Sequence, residues 1–529
     1  MLRVTRYLTF CTSLSLVVAC SPSDPGNSTA TEAATETAGD SSGGGSGGDS
    51  NPTGEDPTST GGETTGDTGG EPAYEPAPGG MRRLLAHQYV NSIRYLLGDA
   101  AAAAAMPSVD YPLHGFDAIG AAEIAFQASA IEQIEASAMA VAEAAVASPE
   151  RLGKHVPCVL EAAPAADCYE QVATKFGRLA WRRPLRAEEV AMLVQIADDA
   201  RAWGESFETG LKYELAAILQ VPDFLYIIEI GEPSPDDPSV RVLTPLELAT
   251  RMSFFLVGRT PDALLLDKAE AGELASDAQI RAAAQAMVGN PESRATLATF
   301  YKELLFLRDL PTLNKNADLF PQFSPDLAAS MMEETLRLID NVVWEENTDI
   351  LTILDADYTF IDAGLAALYG LPPPQGQGFV RVDLPVEQNR AGLLGQASFL
   401  ARFAHPAETS PTRRGLFVRT KLLCESVPPP PPGVDTTLPE DDPNNPQTMK
   451  EKLTKHMEDP SCASCHGLID PIGLALENYD ALGQFRTHEF GLPIDPSANV
   501  ADIGMFDSAR DLAALLVEDP RVAQCVIKN

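Results

Sequence analysis

A C-x-x-C-H pentapeptide, Cys462-Ala463-Ser464-Cys465-His466, narrows the choice of folds for this chain more than any other stretch. Two thiols at this spacing can each form a thioether to a haem vinyl group, and the adjacent imidazole can ligate the iron. Cys462 and Cys465 are therefore the expected attachment points for haem c, and His466 the expected proximal iron ligand, all from one short turn. A local disulfide and half of a zinc site are the competing readings. Zinc normally takes four tetrahedral ligands, and the sequence offers no second Cys/His pair at comparable spacing. A thioredoxin-type redox pair calls for a βαβ setting that the flanking residues, Met449 to Glu458 and Asp470-Pro471-Ile472-Gly473, do not provide.

The start of the chain bears on the same question. Arg3 and Arg6 precede an apolar run from Leu8 to Ala19, followed by Cys20. The run is too short and wrongly flanked to span a membrane and reads as a secretory signal. Val17-Val18-Ala19-Cys20 resembles a bacterial lipobox, which predicts removal of residues 1–19 and acylation of Cys20; an ordinary signal peptide cut nearby is the plainer alternative. Ser21 after Cys20 points, by resemblance to other lipoproteins, to the outer membrane. Residues 20–80 are Gly, Ser, Thr, Asp, Glu and Pro with almost nothing apolar. Such a segment cannot offset its ordering entropy by burial and is expected to be a disordered acidic tether.

The formal charge of −37 and pI of about 4.4 argue against nucleic acid or anionic lipid as a partner. Membrane association is expected through the N-terminal lipid alone. Of the eight cysteines, Cys11 leaves with the signal, Cys20 takes lipid, and Cys462 and Cys465 take haem. In an exported chain the remaining Cys158, Cys168, Cys424 and Cys525 favour disulfides. A local Cys158–Cys168 bridge is the simplest choice, leaving Cys424–Cys525 to clip the haem region to the segment before it; free buried thiols are the alternative.

From Met81 the pattern is helical. Arg82 to Leu97 is amphipathic, and Ile131, Ile134, Ala138, Val141 and Ala145 recur at spacings of three and four. Asp110, His114 and Asp117 lie in a turn-rich loop and read as incidental polar residues more readily than as metal ligands. Tyr169 to Trp181 predicts a helix stopped at Arg182-Arg183-Pro184. Thr244-Pro245-Leu246-Glu247 is a helix start with Thr244 as N-cap. Met332, Leu336, Ile339 and Val343 mark a later helix, on which Glu333 and Glu334 are expected to be solvated. Strand signals are sparse, the clearest being Phe379 to Val382, expected to pair with Tyr358-Thr359-Phe360. Pro428 to Pro432 predicts a stiff extended spacer. The expected fold is mainly α: helical domains over 81–235 and 236–385, a helical segment and Pro-rich spacer over 386–440, and a small cytochrome-c-like haem region over 441–529.

Arg182-Arg183-Pro184-Leu185, the Leu215 to Tyr226 run, Glu247 to Leu256, Ser410-Pro411-Thr412-Arg413-Arg414-Gly415, Pro428 to Val434 and Cys462 to Arg486 follow one another in this order. From about residue 81 onward the chain resembles exported planctomycete and myxobacterial multidomain proteins built of domains of unknown function, with a cytochrome-c-like motif near the C-terminus. The resemblance implies export and haem attachment but no reaction. Relatives commonly continue past the position of Cys525 into another helical segment, whereas this chain stops at Asn529.

The sixth iron ligand would decide the chemistry. Met505 is the foremost distal candidate, with His456, Met457, His488 and His405 as others, and Arg486 a possible propionate partner or a surface salt bridge. No Gly-x-Ser-x-Gly elbow, phosphate loop, His-Glu-x-x-His or dinucleotide fingerprint is present. The expected function is single-electron transfer at the cell envelope with a redox protein as partner. A binding or scaffold lipoprotein without catalytic haem, and a haem peroxidase-like enzyme, are the alternatives.

Overall fold

The computed structural model describes residues 80–123, 128–235, 237–428, 445–458 and 460–528. The expected signal, Cys20, the tether and nearly all of the Pro-rich spacer lie outside the described residues. The fold is mainly α, with small two-stranded antiparallel sheets as its only strand structure among the described residues.

The first body of helices surrounds one apolar core drawn from residues 84–266. Strand β1 (Gly80–Arg83) leads into helix α1 (Ala86–Leu97), and α2 (Ala128–Ala147) follows. On α2 the stripe Ile134, Ala138, Val141 and Ala145 is buried as its spacing predicts, but Ile131, one turn earlier, is 54% exposed because the core does not reach that end of the helix. Helices α3 (Ala187–Gly204) and α4 (Phe207–Ile218) pack together, and α4 also packs on α2. Gly210 allows this approach: a Cβ there would lie 2.7 Å from the Ala197 carbonyl oxygen and 2.2 Å from the Tyr169 hydroxyl.

The Arg182-Arg183-Pro184 stop has a structural cause beyond its proline. Arg182 takes the left-handed conformation (φ 61°) and its buried guanidinium donates to the carbonyls of Ala180, Asp223, Phe224 and Tyr226. That fixes the turn from which strand β2 (Tyr226–Glu229) runs back to pair with β1. Phe224 at this turn is fully buried, as its apolar setting predicts.

Helix α5 (Pro245–Leu256) begins with the expected capping box, Thr244 Oγ1 accepting from the Glu247 amide and Glu247 accepting from the Thr244 amide at 2.8 Å. Helices α6 (Pro291–Leu304) and α7 (Pro325–Asp340) follow, and strands β3 (Tyr358–Ile361) and β4 (Val380–Asp383) pair antiparallel as expected, Thr359 opposite Val382.

The expected facing of α7 needs correction. Its core side is Leu327, Ala328, Met331, Glu334, Thr335, Leu338 and Ile339, while Met332, Leu336 and Val343 are only partly buried. Glu333 stays at the surface and pairs with Arg337 at 2.8 Å. Glu334 instead points inward at 0% exposure, accepting from Thr359 Oγ1 and Tyr369 Oη, each at 2.7 Å. Burial pushes its carboxyl up to about 7. A helix with polar residues on its core side hides that side from an apolar-periodicity reading.

A second large core begins at Phe116, gathers residues 301–423 and continues through Ile472, Leu476, Tyr479 and Leu482 to Val522. The helical segment before the spacer and the region after it therefore share one interior.

Candidate functional site

The site rests on two helices that cross in backbone contact. Helix α8 (Pro411–Phe417) starts at Ser410, whose Oγ accepts from the Arg413 amide, with Pro411 at the first turn. Helix α9 (Met449–His456) is set by a Thr448/Glu451 capping box and leads to α10 (Pro460–Leu474). A Cβ on Gly415 of α8 would sit 1.9 Å from the Ile469 carbonyl oxygen, and one on Gly473 of α10 would sit 1.9 Å from that of Pro411. Only glycine fits either position, so the Ser410–Gly415 and Asp470–Gly473 signatures are the two halves of one joint.

Buried charge fastens that joint. Arg414, at 0% exposure, donates to the carbonyls of Leu476 (2.9 Å), Asp480 (3.0 Å), Tyr479 and Leu400 (both 3.3 Å) and faces Glu477 at 3.4 Å. Glu477 is held in turn by Thr409 Oγ1 at 2.8 Å and Arg486 at 3.1 Å. Arg390 lies between the rings of Tyr369 and Tyr479, 4.0 and 4.6 Å from their centroids, and donates to Gly395 O and Gly483 O.

The Cys462 to His466 motif is not in a short turn, as expected, but inside α10. Helical spacing places Cys465 three residues and His466 four residues beyond Cys462, on one side of the helix. Cys462 and Cys465 are half-buried and lie outside both described disulfides, with Cys465 Sγ 3.7 Å from the Pro428 carbonyl. The other described cysteines are paired as Cys158–Cys168 and Cys424–Cys525. The second bridge ties the end of the α8 segment to the C-terminal helix α12 (Pro520–Lys528), which follows α11 (Ala509–Glu518).

His466 Nδ1 is 2.8 Å from Asp470 Oδ2, and Asp470 Oδ1 accepts from Thr412 Oγ1 of α8 at 2.7 Å. Asp470 is fully buried, and that burial raises its carboxyl above the usual carboxylate range. With the carboxylate accepting from Nδ1, Nε2 keeps its lone pair for a metal. The His456 ring from α9 stands edge-on to that of His466, centroids 4.8 Å apart. Two cysteines and one oriented imidazole on one helix side are the donor set haem c requires, so the residues present fit that group. Among the described residues no group of three or more His, Cys, Asp or Glu side chains is arranged to hold a metal ion.

The distal candidates are scattered. Met505 is 74% exposed on β6 (Gly504–Phe506), which pairs with β5 (Ala498–Val500); its neighbour Phe506 is buried on the opposite strand face. This hairpin packs beside α10 and is tied there by Arg419, whose Nε donates to Leu468 O at 2.8 Å and whose Nη2 meets Asp502 at 2.7 Å. His488 is exposed, and burial lowers the proton affinity of His405. Arg486 is occupied by Glu477 and by Glu489 at 3.3 Å, matching its salt-bridge reading. In the 107–120 loop, Asp110 bonds Arg83 at 2.7 Å and the Ala86 amide at 2.8 Å, and Asp117 bonds Arg308 at 2.7 Å. The His114 carbonyl accepts from Lys421 Nζ at 3.2 Å. Those three residues dock a loop.

The sequence reading missed Asp470 as partner of His466, although its position four residues on was the available signal. Thr412 and the burial of Arg390 and Arg414 had no local signal. Among the described residues no helix is long and apolar enough to cross a membrane.

Comparison with known proteins divides the chain. Residues 82–147 match PSD3, a protein of unknown function (DUF1587), and 168–229 match PSD5 (DUF1595). Residues 243–371 match PSD4 (DUF1592), and 390–489 match PSCyt3 (DUF1588), also proteins of unknown function. No curated protein and no solved structure matches the chain. The PSCyt3 match runs from Arg390 to Glu489 and so contains both helices of the joint and the C-x-x-C-H motif. Four domains of unknown function thus follow one another through residues 82–489, an arrangement that fits a multidomain family assembled from such domains.

Proposed function

We propose that the chain is an exported haem c protein that passes single electrons at the cell envelope. The observation that carries this reading is the α10 face, on which Cys462, Cys465 and His466 stand at the C-x-x-C-H spacing on one helix and His466 is fixed through Nδ1. The name PSCyt3 hints at a cytochrome-c-like relation and supports the same reading. Cys462 and Cys465 would bind the cofactor covalently, and His466 would supply the proximal nitrogen. When bound, the haem supplies a one-electron couple, and the protein sets its potential through axial ligand, hydrogen bonding and burial. Met505, an exposed side chain on the hairpin that packs beside α10, is the proposed distal ligand.

Anchoring by an acylated Cys20, location at the outer membrane and exchange with a redox protein belong to the same proposal. The two disulfides support an oxidising compartment. The test is the pyridine haemochrome spectrum of chain exported from a host with c-type maturation, beside the Cys462→Ala, Cys465→Ala double variant. A c-type band absent from the variant supports the proposal. A folded, colourless wild-type protein contradicts it.

A further inference from the structure

His466 and Asp470 stand four residues apart on α10, one above the other along the helix. What distinguishes the pair is how little freedom the carboxylate has. Its Oδ1 is taken by Thr412 Oγ1 from α8, and the glycine contacts at Gly415 and Gly473 fix the distance between the helices that carry Thr412 and Asp470. Oδ2 is left aimed at His466 Nδ1 at 2.8 Å. Asp470 is fully buried, yet among the described residues its only ion-pairing partner is His466. A buried carboxylate without a Lys or Arg partner costs stability, and a neutral side chain would fill the same space at lower cost. Packing gives no reason for an acid here, whereas orienting a ligand imidazole does.

Resting on the haem reading above, we propose that Asp470 is a positioning residue for the iron ligand. It holds His466 with the proton on Nδ1 and Nε2 directed outward, and by drawing on that proton it makes the imidazole a stronger donor and favours the ferric state. Ligand histidines bonded to a carboxylate through their second nitrogen are more basic, and hydrogen bonding behind the axial ligand is one of the protein's levers on haem potential. Thr412 moderates the effect by drawing charge toward Oδ1.

The experiment uses the full chain from a c-type maturation host, with the haemochrome spectrum recorded first. Midpoint potential is then compared for wild type, Asp470→Asn and Thr412→Val. Asp470→Asn is expected to raise the potential by about 59 mV or more, a tenfold change in the ferric to ferrous ratio for one electron. Thr412→Val is expected to shift it the other way by less. A merely structural role would move stability but not the potential in opposite directions. Haem-loaded variants with the wild-type potential overturn the proposal. Nitrogen-15 NMR of His466 in haem-free protein separates this inference from the haem reading. A wild-type Nδ1–H tautomer lost in Asp470→Asn supports the positioning role whether or not haem is taken up, and an Nε2–H tautomer in wild type overturns it.

Discussion

The helical body over residues 84–266 and the joint over residues 390–489 are held together by different means. In the body, α2 and α4 bury alanine, valine, leucine and isoleucine in periodic stripes, and buried polar groups are few beside them, chiefly Arg182 at one turn and Glu214 on α4. In the joint, two fully buried arginines bind backbone carbonyls from several segments, and helices meet through glycine. An apolar stripe specifies that a helix packs but tolerates substitutions of similar volume. A guanidinium that satisfies several carbonyls at fixed distances specifies one arrangement. The candidate site sits on the second kind of construction, where small displacements are resisted.

The disulfides offer the largest break in that comparison. Cys424–Cys525 closes a 101-residue separation and Cys158–Cys168 a 10-residue one. Chain entropy alone gives about 5 kcal/mol for the first and about 3 kcal/mol for the second. Urea unfolding of Cys424→Ser, Cys525→Ser should therefore show the greater loss, with α12 the first segment to lose amide-exchange protection. Equal losses for the two pairs would mean that the long bridge adds little to the joint.

Substitution of like volume sharpens the contrast. Arg414→Met leaves the carbonyls of Leu476, Tyr479 and Asp480 without this donor and the buried Glu477 with only Thr409 and Arg486, and is expected to cost about 3–5 kcal/mol. Leu215→Met in the core of the body is expected to cost less than about 1.5 kcal/mol. Chemical denaturation of both variants checks this, and similar costs would remove the distinction between the regions.

The contrast in legibility follows the same line. Local chemistry made the Thr244 cap, the β3–β4 pairing, the α2 stripe and both disulfides readable, because each depends on near neighbours, alternation or a count of thiols. The C-x-x-C-H motif was equally plain. Glu334, Arg390 and Arg414 were not, since a buried charge looks like a solvated one until the distant carbonyl, hydroxyl or ring that receives it is known. The same holds for Thr412, whose partner Asp470 lies 58 residues away.

A smaller effect comes from Glu334, whose carboxyl is raised to about 7 by burial, ahead of its bonds to Thr359 and Tyr369. The folded chain binds this proton more tightly than the unfolded chain. The resulting stability is present below about pH 4.5 and is lost as pH rises to about 7, by about 3 kcal/mol. Glu303, also raised to about 7 by burial, adds a slope of the same sign. Glu334→Gln should therefore match wild type near pH 5 and exceed it near pH 8 in urea unfolding. A variant weaker at both values would show that the ionised carboxylate stabilises the fold.

Covalent attachment of haem at Cys462 and Cys465, as proposed, is checked by denaturing electrophoresis of the exported chain under reducing conditions, followed by haem staining. Colour is expected to travel with the full-length band in wild type and to be absent from the Cys462→Ala, Cys465→Ala variant. A folded wild-type chain that runs colourless, or one whose colour survives loss of both thiols, would contradict it.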